Sequence, residues 1–302
     1  MTTMATSSSL LDQIGNTPLV RLDRSSPNPN VTIWAKLELA NPSGSLKDRI
    51  ALHMIERAEA RGELTPGITI VEATSGNTGI ALGMVAAVKD YKLKLFMLEN
   101  KTVERRKMLR YWGSDLVLTT KDDPDSHIYG AKDLVESQLG DCFYINQNEN
   151  EDNIGAHQSG TGPEIVDALD GKIDVFVAGY GTGGMLMGIA RCFRERGVDA
   201  RIVAVEPGGE PRAKIDGLKH SSETYQPLIY DRSLISQTIE VPEDEAYRVT
   251  REIATREGII AGLSSGGALW AAQQLASTMV AGNIVVILGD RGERYFSTRL
   301  FD

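Results

Sequence analysis

The stretch DVFVAGYGTGGMLMGIARCF, residues 174–193, passes from an apolar strand through Gly179, Gly181, Gly183 and Gly184 into a helical pattern. A glycine-rich strand-to-helix turn aims backbone N–H groups and a positive helix end at whatever it faces, and that favours phosphate. The turn itself, Gly181-Thr182-Gly183-Gly184-Met185, lacks the Lys-Ser/Thr pair of a nucleoside-triphosphate loop. A small phosphate monoester is open to it, and so is plain close packing of strand on helix. Glu206 stands in range of the acidic residue that would hold a ribose, so spacing alone does not dismiss a dinucleotide, but the three stretches that follow, taken together, do.

Three further stretches carry residue types that could react. In NPSGSLKDRIA, residues 41–51, Lys47 follows the turn formers Ser43, Gly44 and Ser45 and opens a helical pattern. A lysine near a positive helix end gives up its proton more easily and can form a Schiff base. Taken alone, it reads first as a solvated lysine pairing with Asp48 or Glu56, as most lysines are. In EATSGNTGIA, residues 72–81, an apolar strand ends in Thr74, Ser75 and Gly76 before a helix begins near Asn77 or Thr78. N–H groups and hydroxyls gathered this way suit a carboxylate, or simply cap a helix. In AGLSSGGALWAA, residues 261–272, Ser264 and Ser265 precede an apolar helix. The Ser264 hydroxyl could serve a ring nitrogen or an N-cap.

These stretches need strands and helices to hold them. From residue 68, short apolar runs alternate with helical patterns: ITIVEA, TGIALGMVAAV, LKLFML, VERRKMLRYWG, SDLVLTT, a helix near 126–139, then CFYIN. Such βα alternation predicts a parallel sheet covered by helices. The cycle restarts with DVFVAG, RIVAVEP and NIVVILGD, and the helix between includes PEDEAYRVTREIATREG, bounded by Pro242 and Gly258. The reading is α/β, with two wound parallel-sheet domains and no low-complexity linker, so the chain can cross between units more than once. A length of 302 residues suits two domains.

The formal charge of −9 gives no electrostatic reason to bind nucleic acid or an anionic membrane. No apolar run approaches the roughly 20 residues that span a bilayer, and MTTMATSSSL lacks the pattern of a secretory signal. Cys142 and Cys192 sit in no C-x-x-C or His-flanked pattern, so no metal or redox pair is expected. A cytoplasmic protein acting on small molecules is the expectation.

Taken in order, NPSGSLKDR, EATSGNTGIA, GTGGM and GLSSGGA, with IGNTPLV at 14–20 and RGERYFST at 291–298, make the sequence resemble the cysteine synthase family. That family uses pyridoxal 5′-phosphate on the β-family scaffold, fold type II, which is similar to the tryptophan synthase β chain. The resemblance implies a large cofactor-binding domain of residues 1–41 and 152–302, a smaller mobile domain of residues 42–151, and a homodimer. It implies that Lys47 holds the cofactor and moves the substrate α-proton, and that Asn77 meets the cofactor's 3′-oxygen. Thr74, Ser75, Gly76 and Thr78 would close on the substrate carboxylate, Gly181 to Met185 would hold the phosphate, and Ser264 would face the pyridine nitrogen. The implied reaction replaces the leaving group of O-acetylserine or O-phosphoserine by a sulfur nucleophile, through an α-aminoacrylate, to give L-cysteine. Formation of cystathionine or 2,3-diaminopropionate is the alternative within the chemistry, and a non-catalytic relative the alternative outside it.

Several positions depart from the family pattern. Met185 stands where a threonine usually ends the phosphate turn, Gln147-Asn148 replaces a Gln-Phe pair near the substrate carboxylate, and Leu98 replaces a proline. The DRGERY ending resembles B-type cysteine synthases. Residues 206–231 bring Arg212, Lys214, Lys219 and His220 close together in an acidic chain. In the O-phosphoserine-using branch a basic residue near the place of Lys219 meets the substrate phosphate, and a solvated basic loop is the other reading.

Overall fold

The computed structural model describes residues 7–74, 76–100, 103–123, 125–209, 213–222 and 226–302. In chain order the regular elements begin with β1 (Leu19–Arg21), β2 (Val31–Leu37), α1 (Lys47–Arg61), β3 (Thr69–Ala73), α2 (Asn77–Lys89) and β4 (Lys92–Leu98). There follow α3 (Val103–Tyr111), β5 (Asp115–Thr119), α4 (Ser126–Ser137), β6 (Cys142–Tyr144) and α5 (Glu151–Ala156). A π-helical turn (His157–Thr161) joins α5 to α6 (Gly162–Ala168). The chain continues through β7 (Val175–Gly179), α7 (Gly184–Glu195), β8 (Arg201–Pro207), β9 (Gln237–Val241), α8 (Glu243–Glu257), α9 (Leu263–Thr278) and β10 (Gly282–Leu288). None of the described helices is long and apolar enough to cross a membrane.

The chain forms two compact units, one of residues 1–16 and 41–145, the other of residues 17–40 and 146–302. The first holds a four-stranded parallel sheet in the order β5-β4-β3-β6. β3 is buried along almost its whole length, which explains why it reads as an unbroken apolar run rather than an alternating one. α2 is buried on nearly every side, and its glycines permit that. A β-carbon on Gly83 would stand 2.7 Å from Trp112, and one on Gly79 2.9 Å from Leu109.

The second unit holds six strands in the order β1-β2-β10-β7-β8-β9. All pairs are parallel except the edge pair β1–β2, where Leu19 faces Lys36 in an antiparallel ladder. A short excursion at residues 22–30 is enough for this reversal, whereas a parallel pair needs a crossover. β2 pairs in register with β10, Ile33 opposite Ile284. The core beneath these strands gathers Val177, Val205, Leu269, Ala272 and Val286. α8 begins at its N-cap Pro242 with Glu243, Asp244 and Glu245 in the first turn, and it ends on Gly258 at φ 73°. Acidic residues at a positive helix end and glycine in the left-handed stop account for both limits.

Both sheets reverse their winding at one point. In the first, the chain lays down β3, β4 and β5 outward, then returns to place β6 on the other side of β3. In the second, β7, β8 and β9 run outward before β10 returns to the other side of β7. In open α/β sheets, ligands sit beyond the carboxyl ends of the strands at such switch points. The loops that leave β3 and β7 there are 74–76 and 180–183, the hydroxyl-rich and glycine-rich turns singled out in the sequence.

Candidate functional site

In the first unit, Lys47 is the opening residue of α1. The preceding turn is fixed by Asp48, a buried residue whose carboxylate accepts the Ser43 N–H at 2.6 Å and also the Ser43 hydroxyl. Gly44 takes φ 89°, and the Lys47 N–H reaches Ser45 Oγ at 3.3 Å. The loop is thus tied at both shoulders, and Lys47 leaves it half-buried at the start of a four-turn helix. Asn77 is likewise the first residue of its helix, α2, which packs against α1. With one strand between them in sequence, the two helices run the same way, so both first residues stand at the end of the sheet where β3 finishes.

No side chain caps α2, whose N-cap is Gly76. The Gly76 N–H meets Thr74 Oγ1 at 3.3 Å. Thr74 and Thr78 are buried, and Gly76 and Asn77 half-buried. Ser75 lies outside the described residues. An uncapped helix start with hydroxyls around it offers N–H donors to an anion.

In the second unit, the turn after β7 places Gly183 at φ 84°, and α7 starts without a side-chain cap. A β-carbon on Gly183 would lie 2.7 Å from the ring of Tyr230, and one on Gly184 would overlap the Asn153 side chain. Tyr230 also stacks on Tyr180, with centroids 4.4 Å apart and planes at 42°. The glycines are therefore required by what lies against the backbone. Burial first, and Glu206 second, push the Tyr230 hydroxyl up to about 12, so it stays protonated.

Ser264 is the second residue of α9, and Gly262 is the N-cap, so the capping alternative does not hold for Ser264. Its neighbour Ser265 is the structural one, accepting the Gly289 N–H at 3.0 Å while buried. The half-buried Ser264 hydroxyl has no partner among the described residues. Gly217, at φ 92°, comes so close that a β-carbon there would stand 3.2 Å from Ser264 Oγ. Two residues on, the Lys219 N–H donates to the Tyr180 carbonyl at 2.7 Å. The loop carrying Lys219 thus links Ser264 to the strand end that enters the glycine turn. An unpartnered hydroxyl beside a tightly approached backbone fits a flat ring, and the glycine turn fits a phosphate. The residues present fit pyridoxal 5′-phosphate on both counts.

The basic group expected at residues 212–220 is smaller than its sequence suggests. His220 Nε2 lies 3.4 Å from Glu240 and 3.6 Å from the buried Glu206, so it faces two carboxylates rather than an incoming anion. Glu206 also accepts the Ser221 N–H at 2.9 Å. Glu206 is buried with its Oε2 serving both His220 and Ser221, which counts against a ribose there. Lys214 is exposed, Lys219 half-buried, and Arg212 lies outside the described residues.

Gln147 and Asn148 are both buried. Asn148 Oδ1 accepts no hydrogen bond from a described residue, so a buried polar side chain stands where the family pattern has an aromatic one. Leu98, the last residue of β4, is buried. Sequence reasoning missed Asn153 and Tyr230, whose contacts with the glycine turn join segments far apart in the chain. Among the described residues no group of His, Cys, Asp and Glu is arranged to hold a metal.

Residues 10–290 match the model of the family described as pyridoxal-phosphate dependent enzyme. The chain is 44% identical over 290 residues to cysteine synthase B of Salmonella typhimurium, covering 95% of this chain and 94% of that protein. Its structure is similar to the crystal structure of cysteine synthase from Entamoeba histolytica, with a TM-score of 0.92 and 32% identity over 100% of this chain and 92% of that one. It is equally similar to O-ureido-L-serine synthase, with a TM-score of 0.92 and 38% identity over 99% and 96% of the two chains. The chain belongs to the cysteine synthase family of pyridoxal-phosphate-dependent enzymes.

Proposed function

We propose that the protein makes L-cysteine by replacing the leaving group of an activated L-serine with a sulfur nucleophile. When bound, pyridoxal 5′-phosphate supplies the electron sink that loosens the α-proton and the β-substituent of an amino acid joined to it. Lys47 Nζ holds the cofactor and later carries the α-proton. Asn77 meets the 3′-oxygen, and the N–H groups and hydroxyls of residues 74–78, with the Gln147 amide, take the substrate carboxylate. Gly181, Thr182, Gly183, Gly184 and the Met185 backbone hold the phosphate.

The observation that carries this reading is the unpartnered hydroxyl of Ser264 beside Gly217. A serine cannot stabilise a protonated ring nitrogen as a carboxylate does, so a long-lived carbanion is disfavoured and departure of a β-substituent competes well. Lys219 supplies a cation for a phosphate leaving group, which makes O-phosphoserine the preferred donor over O-acetylserine. Because Asn148 keeps a buried amide oxygen without a described partner, a nucleophile that carries N–H groups is the second reading.

The test is the visible spectrum of the purified protein. Adding O-phosphoserine or O-acetylserine must displace the cofactor band, and sulfide must restore it while L-cysteine appears. A colourless protein, or a band indifferent to both serines, overturns the proposal. Restoration by an amine but not by sulfide selects the second reading. Residues 42–151 act as the smaller, mobile part, so proteolysis within them should slow when substrate is bound. The protein works in the cytoplasm as a homodimer, and sedimentation at the mass of one chain would remove the dimer.

A further inference from the structure

We propose that Asn153 is a positioning residue that fixes the Thr182 hydroxyl as a pure hydrogen-bond donor toward a phosphate monoester in the glycine turn. This rests on the reading of that turn as the phosphate site. Asn153 is the third residue of α5, 1% exposed, in a helix start held by Asn150, whose side chain accepts the Asp152 N–H at 2.9 Å. Its Nδ2 donates to the Gln147 carbonyl at 2.7 Å and to Thr182 Oγ1 at 3.1 Å. A carbonyl can only accept, so the Gln147 contact decides which end of the amide is nitrogen. The flipped amide would set its oxygen against that carbonyl.

Thr182 Oγ1 also faces the Gly184 N–H at 3.4 Å. Two N–H groups on one hydroxyl oxygen occupy both of its lone pairs, and the remaining hydrogen must point away from them. No described residue accepts that hydrogen, and Thr182 is half-buried beside the uncapped start of α7. A hydroxyl wired in this way can only give a hydrogen bond, and a dianionic phosphate offers only acceptors. The other oxygen-bearing position of such a turn is filled here by the buried Met185, so among residues 181–185 Thr182 is the one hydroxyl.

The rest of Asn153 indicates that Nδ2 is what holds it there. Its Oδ1 accepts nothing from a described residue and lies where a β-carbon on Gly184 would stand. A buried carbonyl oxygen left with no better contact than a backbone Cα–H is tolerated for the sake of the other end of the amide.

Equilibrium dialysis starting from the holoenzyme, against pyridoxal 5′-phosphate and separately against pyridoxal, tests this. Asn153→Leu should weaken pyridoxal 5′-phosphate by about tenfold, the size of a lost hydrogen bond to a charged group, and pyridoxal by less than about twofold. Thr182→Val should do the same, and the double variant should be no worse than Thr182→Val alone. The ³¹P resonance of the bound cofactor should move in both single variants. Equal weakening of the two ligands by Asn153→Leu would mean a packing role and overturn the proposal, as would additive losses in the double variant. Should Asn153→Leu fail to fold, an unmoved ³¹P resonance in Thr182→Val overturns it by itself. A wild-type chain that holds pyridoxal as tightly as pyridoxal 5′-phosphate removes the phosphate reading of the turn, and the proposal with it.

Discussion

Gly217 approaches Ser264 so closely that a β-carbon on the glycine would stand 3.2 Å from the serine Oγ. The glycine also takes φ 92°, where an L-residue is strained by about 1–2 kcal/mol. Gly217→Ala therefore strains the loop and crowds the hydroxyl proposed to face the ring. The expected outcome is a shifted visible band and weaker cofactor retention, with stability lowered by about 1–2 kcal/mol. Spectra and urea unfolding of the variant, read together, check both parts. An unchanged spectrum would mean that the loop does not border the cofactor.

Lys47 stands at the first position of α1, half-buried, on a turn whose geometry is set by Ser43, Gly44 and Asp48. Removing its side chain leaves that turn intact, so Lys47→Ala should fold with a stability within about 1 kcal/mol of the parent. Turnover should fall by about 10³-fold or more, because the variant lacks both the attachment and the proton carrier that the proposed mechanism assigns to Lys47. Added external amine should restore a fraction of it. Full activity in the variant would remove Lys47 from the mechanism.

The two turns were legible in the sequence because each sits where an unbroken apolar run gives way to glycine and hydroxyl residues, a local pattern, whereas their place at switch points depends on a strand order that no local pattern carries. Ser264 was legible as to type but not role. Only the placement of the cap on Gly262 separates it from Ser265, which serves the Gly289 N–H instead. The pairing of β2 with β10 was not legible, since the apolar run at residues 31–37 carries no mark of a partner some 250 residues later. The same holds for Asn153 on Thr182, two polar side chains 29 residues apart. His220 misled, because a histidine beside a lysine looks cationic in sequence, and the two glutamates that face it come from neighbouring strands.

Lys219 is held at its backbone by the Tyr180 carbonyl, so its side chain can be shortened without releasing the loop. Lys219→Ala should lower kcat/KM for O-phosphoserine by about 10- to 100-fold, the loss expected for a hydrogen bond to a charged group. The effect on O-acetylserine should be about twofold or less. Steady-state kinetics with both donors make the comparison. Equal loss on both would assign Lys219 a structural role, and O-acetylserine would become the expected donor.

Tyr230 lies against Gly183 and Tyr180, and burial, with Glu206 next in importance, lifts its hydroxyl from 10.0 to about 12. The unfolded chain would release this proton near pH 10, while the folded chain keeps it to about pH 12. Across that window the folded state binds more protons than the unfolded one, so stability falls as pH rises. Below it the group contributes its full share. Tyr230→Phe removes the titration but keeps the ring on Gly183, and it should lessen the alkaline decline by the equivalent of one proton while leaving stability at neutral pH within about 1 kcal/mol of the parent. Urea midpoints measured from neutral pH to about pH 11 would show this. If the two proteins lose stability in parallel across the window, the alkaline limb belongs to other groups and the Tyr230 hydroxyl titrates as in an unfolded chain.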